Sequence, residues 1–394
     1  MHILILPSWY PKYPSDVTGV FFRDQAQALQ KHGHRVGVIA PQLQSLRTLF
    51  KKTNAKPSPN FEIDAGIPTY REPIYAFLPR VPYGNYVLFK WLARKLIKRY
   101  IAEQGKPDII HAHSAIYAGA MAAEFSHELK VPIVVTEHSS GFARNLYVPW
   151  QIKLAEKAFR QANKCIVVSP ELSKLLEAQI PKTLGHWSWI PNVVADRFNQ
   201  PAQRDKQIRP LRFLNLALMT DNKGQADLLE AFKLGLGQGL QAELWFGGDG
   251  PIRANLEQLA KDLGIADKVR FLGMVAPGKV PVLLEKVDVV VVSSHYETFG
   301  VVAAEALMAG VPVIATRCGG PECIVSETDG LLVPIKNPQA LGQAMLQLAQ
   351  NIASYDPMKI SKHAKERFSG EAVAEQLTKL FNSALSDESK HGSF

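Results

Sequence analysis

Short apolar runs alternate with stretches of helical periodicity along almost the whole chain, in two successive cycles. Continuous apolar runs of this kind are typical of strands buried on both faces of a parallel sheet. The alternation predicts an α/β protein in which helices cover parallel sheets. Strands are expected at 2–7, 36–40, 108–111, 133–136 and 164–168 in the first cycle, and at 212–218, 242–247, 268–272, 287–293, 311–315 and 330–333 in the second.

The predicted domains follow these two cycles. The stretch 190–204 combines proline and polar residues with little periodicity, which is typical of a linker. We therefore expect an N-terminal domain at 1–195 and a C-terminal domain at 205–369. The part 41–85 is irregular and rich in proline, so it is predicted to hold a small hairpin or a long loop. A last helix is expected at 370–386.

The composition is that of a soluble globular enzyme. Of the 394 residues, 46% are hydrophobic and 21% are charged. No uncharged apolar run approaches the ~20 residues that a membrane-spanning helix needs, and the opening segment 1–7 lacks the length and basic flank of a signal peptide. The three cysteines, Cys165, Cys318 and Cys323, form neither a disulfide framework nor a zinc-ligand pattern. These features predict a cytoplasmic protein with reduced thiols.

The net charge of +9 is concentrated in the first part of the chain. Residues 1–180 contain 23 Lys/Arg against 13 Asp/Glu, whereas the remainder contains 22 against 23. A basic half favours an anionic partner, which could be a membrane surface, an acidic acceptor or a nucleic acid. Because the chain has neither zinc-finger spacing nor the aromatic signature of RNA-binding modules, we expect no nucleic-acid partner.

A basic amphipathic helix is predicted at 86–104. Its apolar stripe comprises Phe89, Leu92, Ala93, Leu96, Ile97 and Tyr100, and the opposite side carries Lys90, Arg94, Lys95, Lys98 and Arg99. Such a helix could lie on an anionic bilayer at the inner face of the membrane, where each cation contributes roughly 1 kcal/mol. The alternative is an ordinary surface helix that covers the sheet of its own domain.

Two glutamates stand eight positions apart where a strand is predicted to give way to a helix. Glu297 follows the apolar run 287–292, and Glu305 lies in the small, apolar stretch 301–309. Open α/β sheets bind ligands at the carboxyl ends of their strands, and free N–H groups at a helix start favour an anion. Carboxylates accept hydrogen bonds from hydroxyls. The segment 293–305 therefore predicts a site that binds sugar hydroxyls beside phosphates.

The loop after the predicted strand 212–218 is a second candidate element. Lys223 precedes Gly224 where an ammonium and a helix N-terminus could together neutralise a diphosphate. A glycine cluster that contains Gly248 follows the next strand and lets the backbone approach a ligand or adopt positive φ. A dinucleotide fold would need G-x-G-x-x-G after the first strand, where 7–11 instead has Pro-Ser-Trp-Tyr-Pro. The dinucleotide interpretation is therefore excluded.

The segment 293–305 resembles the E-x7-E motif of the retaining glycosyltransferases of family 4, and further motifs in the family's order extend this resemblance over nearly the whole chain. The resemblance implies the GT-B fold, in which two Rossmann-like domains face each other across a cleft. It also implies that the last helix crosses back to the N-terminal domain. The C-terminal domain would then bind a nucleotide-sugar donor, and the N-terminal domain an acceptor.

The resemblance also assigns roles within the acidic segment. Glu305 would bind the ribose hydroxyls of the nucleotide, and Glu297 would hold sugar hydroxyls near the anomeric carbon. The backbone N–H groups of Phe299, Gly300 and Val301 would bind sugar or phosphate.

Cations for the leaving phosphates are the next implication of the resemblance. Lys223 would contact the donor phosphate and stabilise the departing diphosphate. Many relatives carry an arginine five residues earlier, where this chain has Leu218. Arg317, which follows another predicted strand, could contribute positive charge instead.

Four further positions match the family pattern. Gly19 resembles the family's glycine loop, which approaches donor phosphate and acceptor, and His138 resembles a histidine that contacts the transferred sugar. Gly248 lies in a turn like the family's G-x-G-P turn beside the donor, and Met274 lies in the segment whose backbone contacts the base. Taken without the resemblance, these residues would be ordinary turn glycines, a loop residue and a structural histidine.

Neither a metal nor a cofactor is expected. The chain contains no Asp-x-Asp pair, and His111 and His113 have no further ligands nearby in sequence, so they are interpreted as cleft-lining or structural. A transferase without a metal site must neutralise its leaving diphosphate with protein groups.

These features predict a retaining, metal-independent glycosyltransferase that uses a nucleotide-diphosphate sugar, most plausibly a UDP-sugar. Its acceptor would be a glycan or a lipid-linked sugar, in cell-surface polysaccharide or glycolipid biosynthesis. Two alternatives stay open: a nucleotide-sugar 2-epimerase with the same fold, and a catalytically silent binding or scaffold protein, which the leucine at 218 makes conceivable. The sugar and the acceptor also stay open.

Overall fold

The computed structural model describes residues 1–12, 16, 18–46, 60–78, 81–183, 185, 187–199, 201 and 210–391. The chain divides into two compact units. The first unit comprises Met1–Val168, Leu172–Val193 and Gly370–Phe394, and the second comprises Ser169–Glu171 and Val194–Ser369. The expected linker 190–204 lies partly outside the described residues, and the chain passes from one unit to the other after Val193, within it.

The first unit is built on an eight-stranded sheet. Its elements are β1 (His2–Pro7), α1 (Val20–Lys31), β2 (Arg35–Gln44), β3 (Phe61–Asp64), β4 (Ile67–Tyr75), α2 (Gly84–Gln104), β5 (Ile109–His113), α3 (Ala120–Leu129), β6 (Ile133–Glu137), α4 (Pro149–Gln161), β7 (Lys164–Val167), α5 (Pro170–Gln179) and β8 (Trp187–Trp189). The strand order is β3-β4-β2-β1-β5-β6-β7-β8, with β3 and β4 antiparallel and the other neighbouring pairs parallel. A small hairpin or a long loop was predicted for 41–85, and the described part of this segment contains the hairpin of β3 and β4.

The order of these strands reverses between β1 and β5. The chain leaves β1 toward β2 on one side, and β5 begins the other half of the sheet. A single π-helical turn, Ala115–Gly119, follows β5, and Ser114 and Tyr117 there adopt φ of 69° and 70°. Positive φ is unfavourable for residues other than glycine and is concentrated at functional sites. The strained turn thus marks the carboxyl end of β5.

The last helix, α12 (Gly370–His391), belongs to the first unit, as the resemblance to the family implied. Val373, Leu377 and Phe381 on its inner face are fully buried in the same apolar cluster as Ile3 and Ile5 of β1. The helix is therefore part of the core of this unit.

The apolar stripe of α2 covers the sheet of its own unit. Phe89, Leu92 and Tyr100 are at most 1% exposed, and the Tyr100 ring lies directly against Gly37 of β2. Its basic side is partly neutralised, since Lys90 pairs with Glu124 at 2.6 Å and other ion pairs join Arg94 to Glu124 and Glu128, Lys95 to Glu72, and Arg99 to Glu103. The apolar stripe is therefore unavailable to lipid. In the described parts of the chain, every helix is too short or too polar to span a bilayer.

The second unit is built on a six-stranded parallel sheet. Its elements are β9 (Leu211–Leu216), α6 (Gln225–Gly237), β10 (Ala242–Gly247), α7 (Arg253–Asp262), β11 (Val269–Gly273), α8 (Val280–Leu284), β12 (Val289–Val292), α9 (Val301–Met308), β13 (Val313–Thr316), β14 (Gly330–Val333), α10 (Pro338–Gln350) and α11 (Pro357–Phe368). The strand order is β11-β10-β9-β12-β13-β14, so the direction of winding reverses between β9 and β12.

The strand β12 and the helix α9 explain why their segment is so apolar. All four residues of β12 are buried, because the strand lies inside a parallel sheet with helices on its faces. Ala303, Ala304 and Ala306 of α9 are fully buried, and their small side chains allow the helix to pack closely on the sheet. This packing fixes where the β12–α9 loop begins and ends.

Candidate functional site

The second unit has a pocket at the reversal between β9 and β12. In open parallel sheets, ligands bind at such a reversal, outside the carboxyl ends of the strands, because the loops there diverge to opposite faces. The pocket has a volume of about 190 Å³. Its lining comes from the ends of the two strands and the loops that follow, and consists of Asn215, Leu216, Ala217, Leu218, Lys223, Val291, Val292, Ser294, Glu297, Gly300, Val301 and Val302.

Two loops supply the polar groups of this pocket. We call 217–224, which joins β9 to α6, the lysine loop, and 293–300, which joins β12 to α9, the glutamate loop. Lys223 Nζ donates to Glu297 Oε1 at 2.6 Å, and Ser294 Oγ donates to the same oxygen at 2.7 Å. Both side chains of the ion pair are about one-fifth to one-quarter exposed. Lys223 and Glu297, which were both predicted to act on the donor, therefore lie in direct contact.

Gly224 allows the lysine loop to approach the glutamate loop. Its φ is 60°, and a Cβ atom at this position would lie 2.1 Å from the carbonyl oxygen of Ser293. Any larger residue would push the two loops apart, and would also be strained by the positive φ. The Lys-Gly sequence thus places the ammonium of Lys223 against the glutamate loop.

The start of α9 contributes backbone to the pocket. Gly300 precedes the helix with φ 91°, and Gly300 and Val301 both line the pocket. The Phe299 ring is buried and packs 5.9 Å from the Phe368 ring, so this residue can offer a ligand only its backbone. The first N–H groups of a helix have no partner within the helix, which makes this end suitable for an anion.

Glu305 and Arg317 lie outside the lining of this pocket. Glu305 is the fifth residue of α9 and is half-buried. Arg317 is exposed and lies just after β13. Its loop is joined to the glutamate loop, because the Glu297 N–H donates to the Cys318 carbonyl at 2.9 Å. Leu218 lines the pocket with 58% of its surface exposed. A hydrophobic side chain therefore stands at the position where the resemblance described above implied arginine.

Gly248 has the positive φ that was one of the two predicted reasons for a glycine in this turn. A Cβ on Gly248 would lie 1.9 Å from the carbonyl oxygen of Ala217, and its φ is 131°. The glycine turn after β10 is therefore needed for packing against the lysine loop. Met274, directly after β11, is 60% exposed and does not line the pocket.

In the first unit, Gly19 and His138 both lie beside the first turn of α1. Gly19 caps the start of α1 with φ 75°. The rings of Phe21 and Phe22, in the first turn of that helix, lie 5.3 and 5.1 Å from the ring of His138. His138 directly follows β6, at the carboxyl edge of the sheet, in agreement with its predicted position after a strand.

His138 is buried and is held by a second histidine. Its Nε2 lies 2.9 Å from Nδ1 of His113, the last residue of β5. Burial lowers the pKa of His138 to about 3, and burial with the neighbouring His111 and His138 rings lowers the pKa of His113 well below its usual value. Both imidazoles are therefore neutral at physiological pH. The sequence did not predict that His113 is the neighbour of His138.

Glu137 is another residue that sequence reasoning missed. Its carboxylate is fully buried and accepts from the backbone N–H groups of Ala115, His138 and Ser139 at 2.8, 2.9 and 2.7 Å. Burial raises its pKa, an effect that these three hydrogen bonds oppose. The carboxylate thus ties the loop after β5 to the loop that carries His138. Across the described parts of both units, no group of three or more His, Cys, Asp or Glu side chains is arranged to hold a metal ion.

Known proteins resemble this chain in sequence and in fold. The model of Glycosyltransferase Family 4 matches residues 18–197, and that of Glycosyl transferases group 1 matches residues 196–367. TuaC of Bacillus subtilis (strain 168), which is described as a putative teichuronic acid biosynthesis glycosyltransferase, is 31% identical over 369 residues that cover 88% of each chain.

Two solved structures have the same fold over nearly their whole length. Sucrose-phosphate synthase from Thermosynechococcus elongatus has a TM-score of 0.76 at 22% identity, covering 98% of this chain and 100% of its own. HepE of Anabaena in complex with UDP has a TM-score of 0.71 at 20% identity, covering 97% and 100%. Fold and site thus define a glycosyltransferase of the GT-B type. The chain belongs to glycosyltransferase family 4.

Proposed function

We propose that this glycosyltransferase is retaining and metal-independent and transfers a sugar from a nucleotide-diphosphate donor whose nucleotide is UDP. The observation that carries the proposal is the Lys223–Glu297 pair beside the start of α9, at the reversal of the second sheet. One cation, one carboxylate and a helix N-terminus in one pocket match a donor that has both phosphates and sugar hydroxyls. The uridine nucleotide is favoured because the related HepE fold holds UDP.

Lys223 would act on the leaving group. As the glycosidic bond to the donor breaks, negative charge grows on the diphosphate, and an ammonium already fixed nearby stabilises that charge without reorganisation. The first N–H groups of α9, at Val301 and Val302, would contribute in the same way. Since Leu218 cannot supply positive charge, Lys223 is the cation among the described lining residues of this pocket.

Glu297 would hold the transferred sugar. The carboxylate of Glu297 accepts hydrogen bonds from Lys223 Nζ and from the Ser294 hydroxyl. A carboxylate engaged in this way is a weaker nucleophile, which favours same-face attack by the acceptor, assisted by the leaving phosphate, over a covalent intermediate on Glu297. Glu305 would bind the ribose hydroxyls from the following turn of α9.

The first unit would bind the acceptor. His138 is neutral, so it would act as a hydrogen-bonding group for a sugar oxygen rather than as a cation. Gly19 would allow the start of α1 to approach the substrates. The teichuronic acid assignment of TuaC supports a glycan or lipid-linked acceptor in cell-surface polysaccharide synthesis.

A membrane contact is proposed through the outward face of α2. Tyr83, Val87 and Trp91 follow one another at intervals of four residues and are 41%, 56% and 59% exposed. Lys98 is exposed as well, and Lys95 Nζ lies 5.9 Å from the centre of the Trp91 ring. Aromatic side chains flanked by cations suit an anionic lipid interface. This surface would keep the protein at the inner face of the membrane.

Vesicle sedimentation tests this contact. Trp91→Ala and Lys98→Glu should each reduce sedimentation with phosphatidylglycerol vesicles, and the wild type should bind phosphatidylcholine vesicles weakly. Trp189→Ala removes a comparably exposed tryptophan of β8 and serves as the control. Equal sedimentation of all four proteins would leave α2 a purely structural helix.

Acceptor-dependent release of UDP tests the function itself. A panel of UDP-sugars should first be screened by thermal shift, since a bound donor stabilises the folded protein. The stabilising donor is then incubated with and without lipid and glycan acceptors, in the presence of EDTA. Release that requires acceptor and survives EDTA supports the proposal, and an α-configured product from an α-linked donor supports retention. Isomerised donor without acceptor would indicate an epimerase, and binding without turnover would indicate a scaffold.

A further inference from the structure

The lysine loop and the glutamate loop are joined by hydrogen bonds besides the Lys223–Glu297 pair. The His295 N–H donates to the Asn222 carbonyl at 2.8 Å, and Asn222 Nδ2 donates to the Tyr296 carbonyl at 3.1 Å. Ser293 Oγ donates to the carbonyl of Lys223 at 2.8 Å. Backbone and side chains therefore align the two loops along their length.

One further side-chain contact links the glutamate loop to α6, the helix that follows the lysine loop. His295 Nε2, on the glutamate loop, lies 2.7 Å from Asp227 Oδ2, in the first turn of α6. Both side chains are about three-quarters buried. A carboxylate can only accept, so Nε2 of His295 carries the proton and donates it. The contact thus joins the helix that follows the lysine loop to the glutamate loop.

This contact is adjacent to Lys223. The His295 ring packs on Gly224, where a Cβ atom would lie 3.2 Å from Nε2. Gly224 is the residue after Lys223, and Asp227 is the third residue of α6 after it. The backbone of Lys223 is therefore enclosed between the Lys223–Glu297 pair on one side and the His295–Asp227 contact on the other.

We propose that His295 and Asp227 are positioning residues that fix Lys223 for its action on the leaving diphosphate. Lysine has a flexible four-carbon stem that loses rotamer entropy when it is fixed. Electrostatic stabilisation of a transition state depends on a cation that is already in place. The His295–Asp227 contact holds the backbone from which this stem extends, and it keeps the lysine loop against the glutamate loop. The proposal rests on the proposed function of Lys223.

The test compares variants of the contact. His295→Ala and Asp227→Ala should each lower kcat for acceptor-dependent UDP release by about tenfold to a hundredfold, the range expected when a catalytic group is displaced by about an ångström. The donor KM should change little, because the loss is felt in the transition state. The double variant should lose no more than either single one, since one shared contact is removed. His295→Gln keeps a donor and should recover most of the activity.

Two comparisons separate positioning from a merely structural role. In a Lys223→Ala background, His295→Ala should cause no further loss of kcat, because His295 acts through Lys223. Glu257→Ala breaks the ion pair of Glu257 with Arg253 on α7 and should leave kcat unchanged. Wild-type kcat in both His295→Ala and Asp227→Ala, or an undiminished further loss in the Lys223→Ala background, would overturn the proposal.

Hydrogen exchange provides a readout that does not depend on turnover. The amides of 217–224 should exchange faster in His295→Ala than in the wild type, whereas those of α10 should be unchanged. Equal exchange at 217–224 would contradict the positioning role whether or not sugar transfer is observed. If exchange at 217–224 is faster in His295→Ala than in the wild type, but the wild type releases no UDP with any acceptor, the positioning role of His295 stands and the proposed function fails.

Discussion

Lys223 Nζ lies 2.6 Å from Glu297 Oε1, although the two residues are 74 positions apart in the chain. They meet because β9 and β12 are adjacent strands whose carboxyl ends open into the same pocket. Each side chain compensates the charge of the other. An ammonium has three N–H donors, so Lys223 can keep its contact with Glu297 while it donates to a donor diphosphate. The pair therefore holds both groups in position at the pocket.

Replacing the lysine should affect turnover more than binding. In Lys223→Ala the departing diphosphate loses its fixed cation, and kcat should fall by about 10²–10³. UDP release measured at saturating donor and acceptor checks this result. Lys233→Ala, which removes an exposed lysine of α6, is the matched control. Near-normal turnover in Lys223→Ala would show that another cation stabilises the leaving group.

Replacing the second glutamate should weaken nucleotide binding. A carboxylate that accepts hydrogen bonds from ribose contributes about 1.5–3 kcal/mol, so Glu305→Ala should raise the Kd for UDP by about tenfold or more. Titration calorimetry with UDP and with its 2′,3′-dideoxy analogue distinguishes the contact. The analogue should bind the wild type and the variant equally. Unchanged UDP affinity in Glu305→Ala would refute the ribose assignment.

The parts of the fold that follow from periodicity were predictable, whereas side-chain partners distant in sequence were not. The apolar run at β12 and the turn signals around Lys223 placed both loops at strand ends, and the rule for parallel sheets brought them together. The apolar stripe of α2 was equally predictable, but periodicity does not identify the surface that packs against it. The structure buries it against the sheet of its own unit.

The missed residues have a common physical cause. The hydrogen bond of His138 to His113 and the three N–H groups on Glu137 depend on which strands become neighbours and in which register. The close approach of Gly248 to the Ala217 backbone likewise arises because β10 lies beside β9. Such contacts follow from strand order, which local sequence patterns do not specify.

Acidification should destabilise the first unit through its buried histidines. Burial lowers the pKa of His111 and of His138 to about 3, below the usual 6.5, and lowers that of His113 as well. As the pH falls below 6.5, the unfolded chain therefore takes up protons that the folded protein cannot. Stability should be lost between about pH 6.5 and pH 3, by up to about 1.4 kcal/mol per pH unit for each histidine.

Urea unfolding at pH 7 and at pH 5 measures this loss. His111→Asn removes one of the titrating rings, and should lower the difference in unfolding free energy between the two pH values. His32→Gln, which replaces an exposed histidine at the end of α1, should leave the difference unchanged. A wild type equally stable at both pH values would show that the three rings take up protons in the folded protein as readily as in the unfolded chain.

Leu218 offers a gain-of-function test of the phosphate site. The side chain lines the pocket and is 58% exposed, so an arginine can be accommodated there without burial of its charge. A guanidinium that reaches the diphosphate forms charge-assisted hydrogen bonds, and Leu218→Arg should lower the Kd for UDP by about tenfold. Because the added contact would be made to bound nucleotide in both ground and transition states, the KM for the donor should fall with little change in kcat. Leu218→Gln has similar length without the charge and should bind UDP as the wild type does. Equal UDP affinity of the arginine and glutamine variants would place the diphosphate out of reach of residue 218, and would leave Lys223 and the start of α9 as its site.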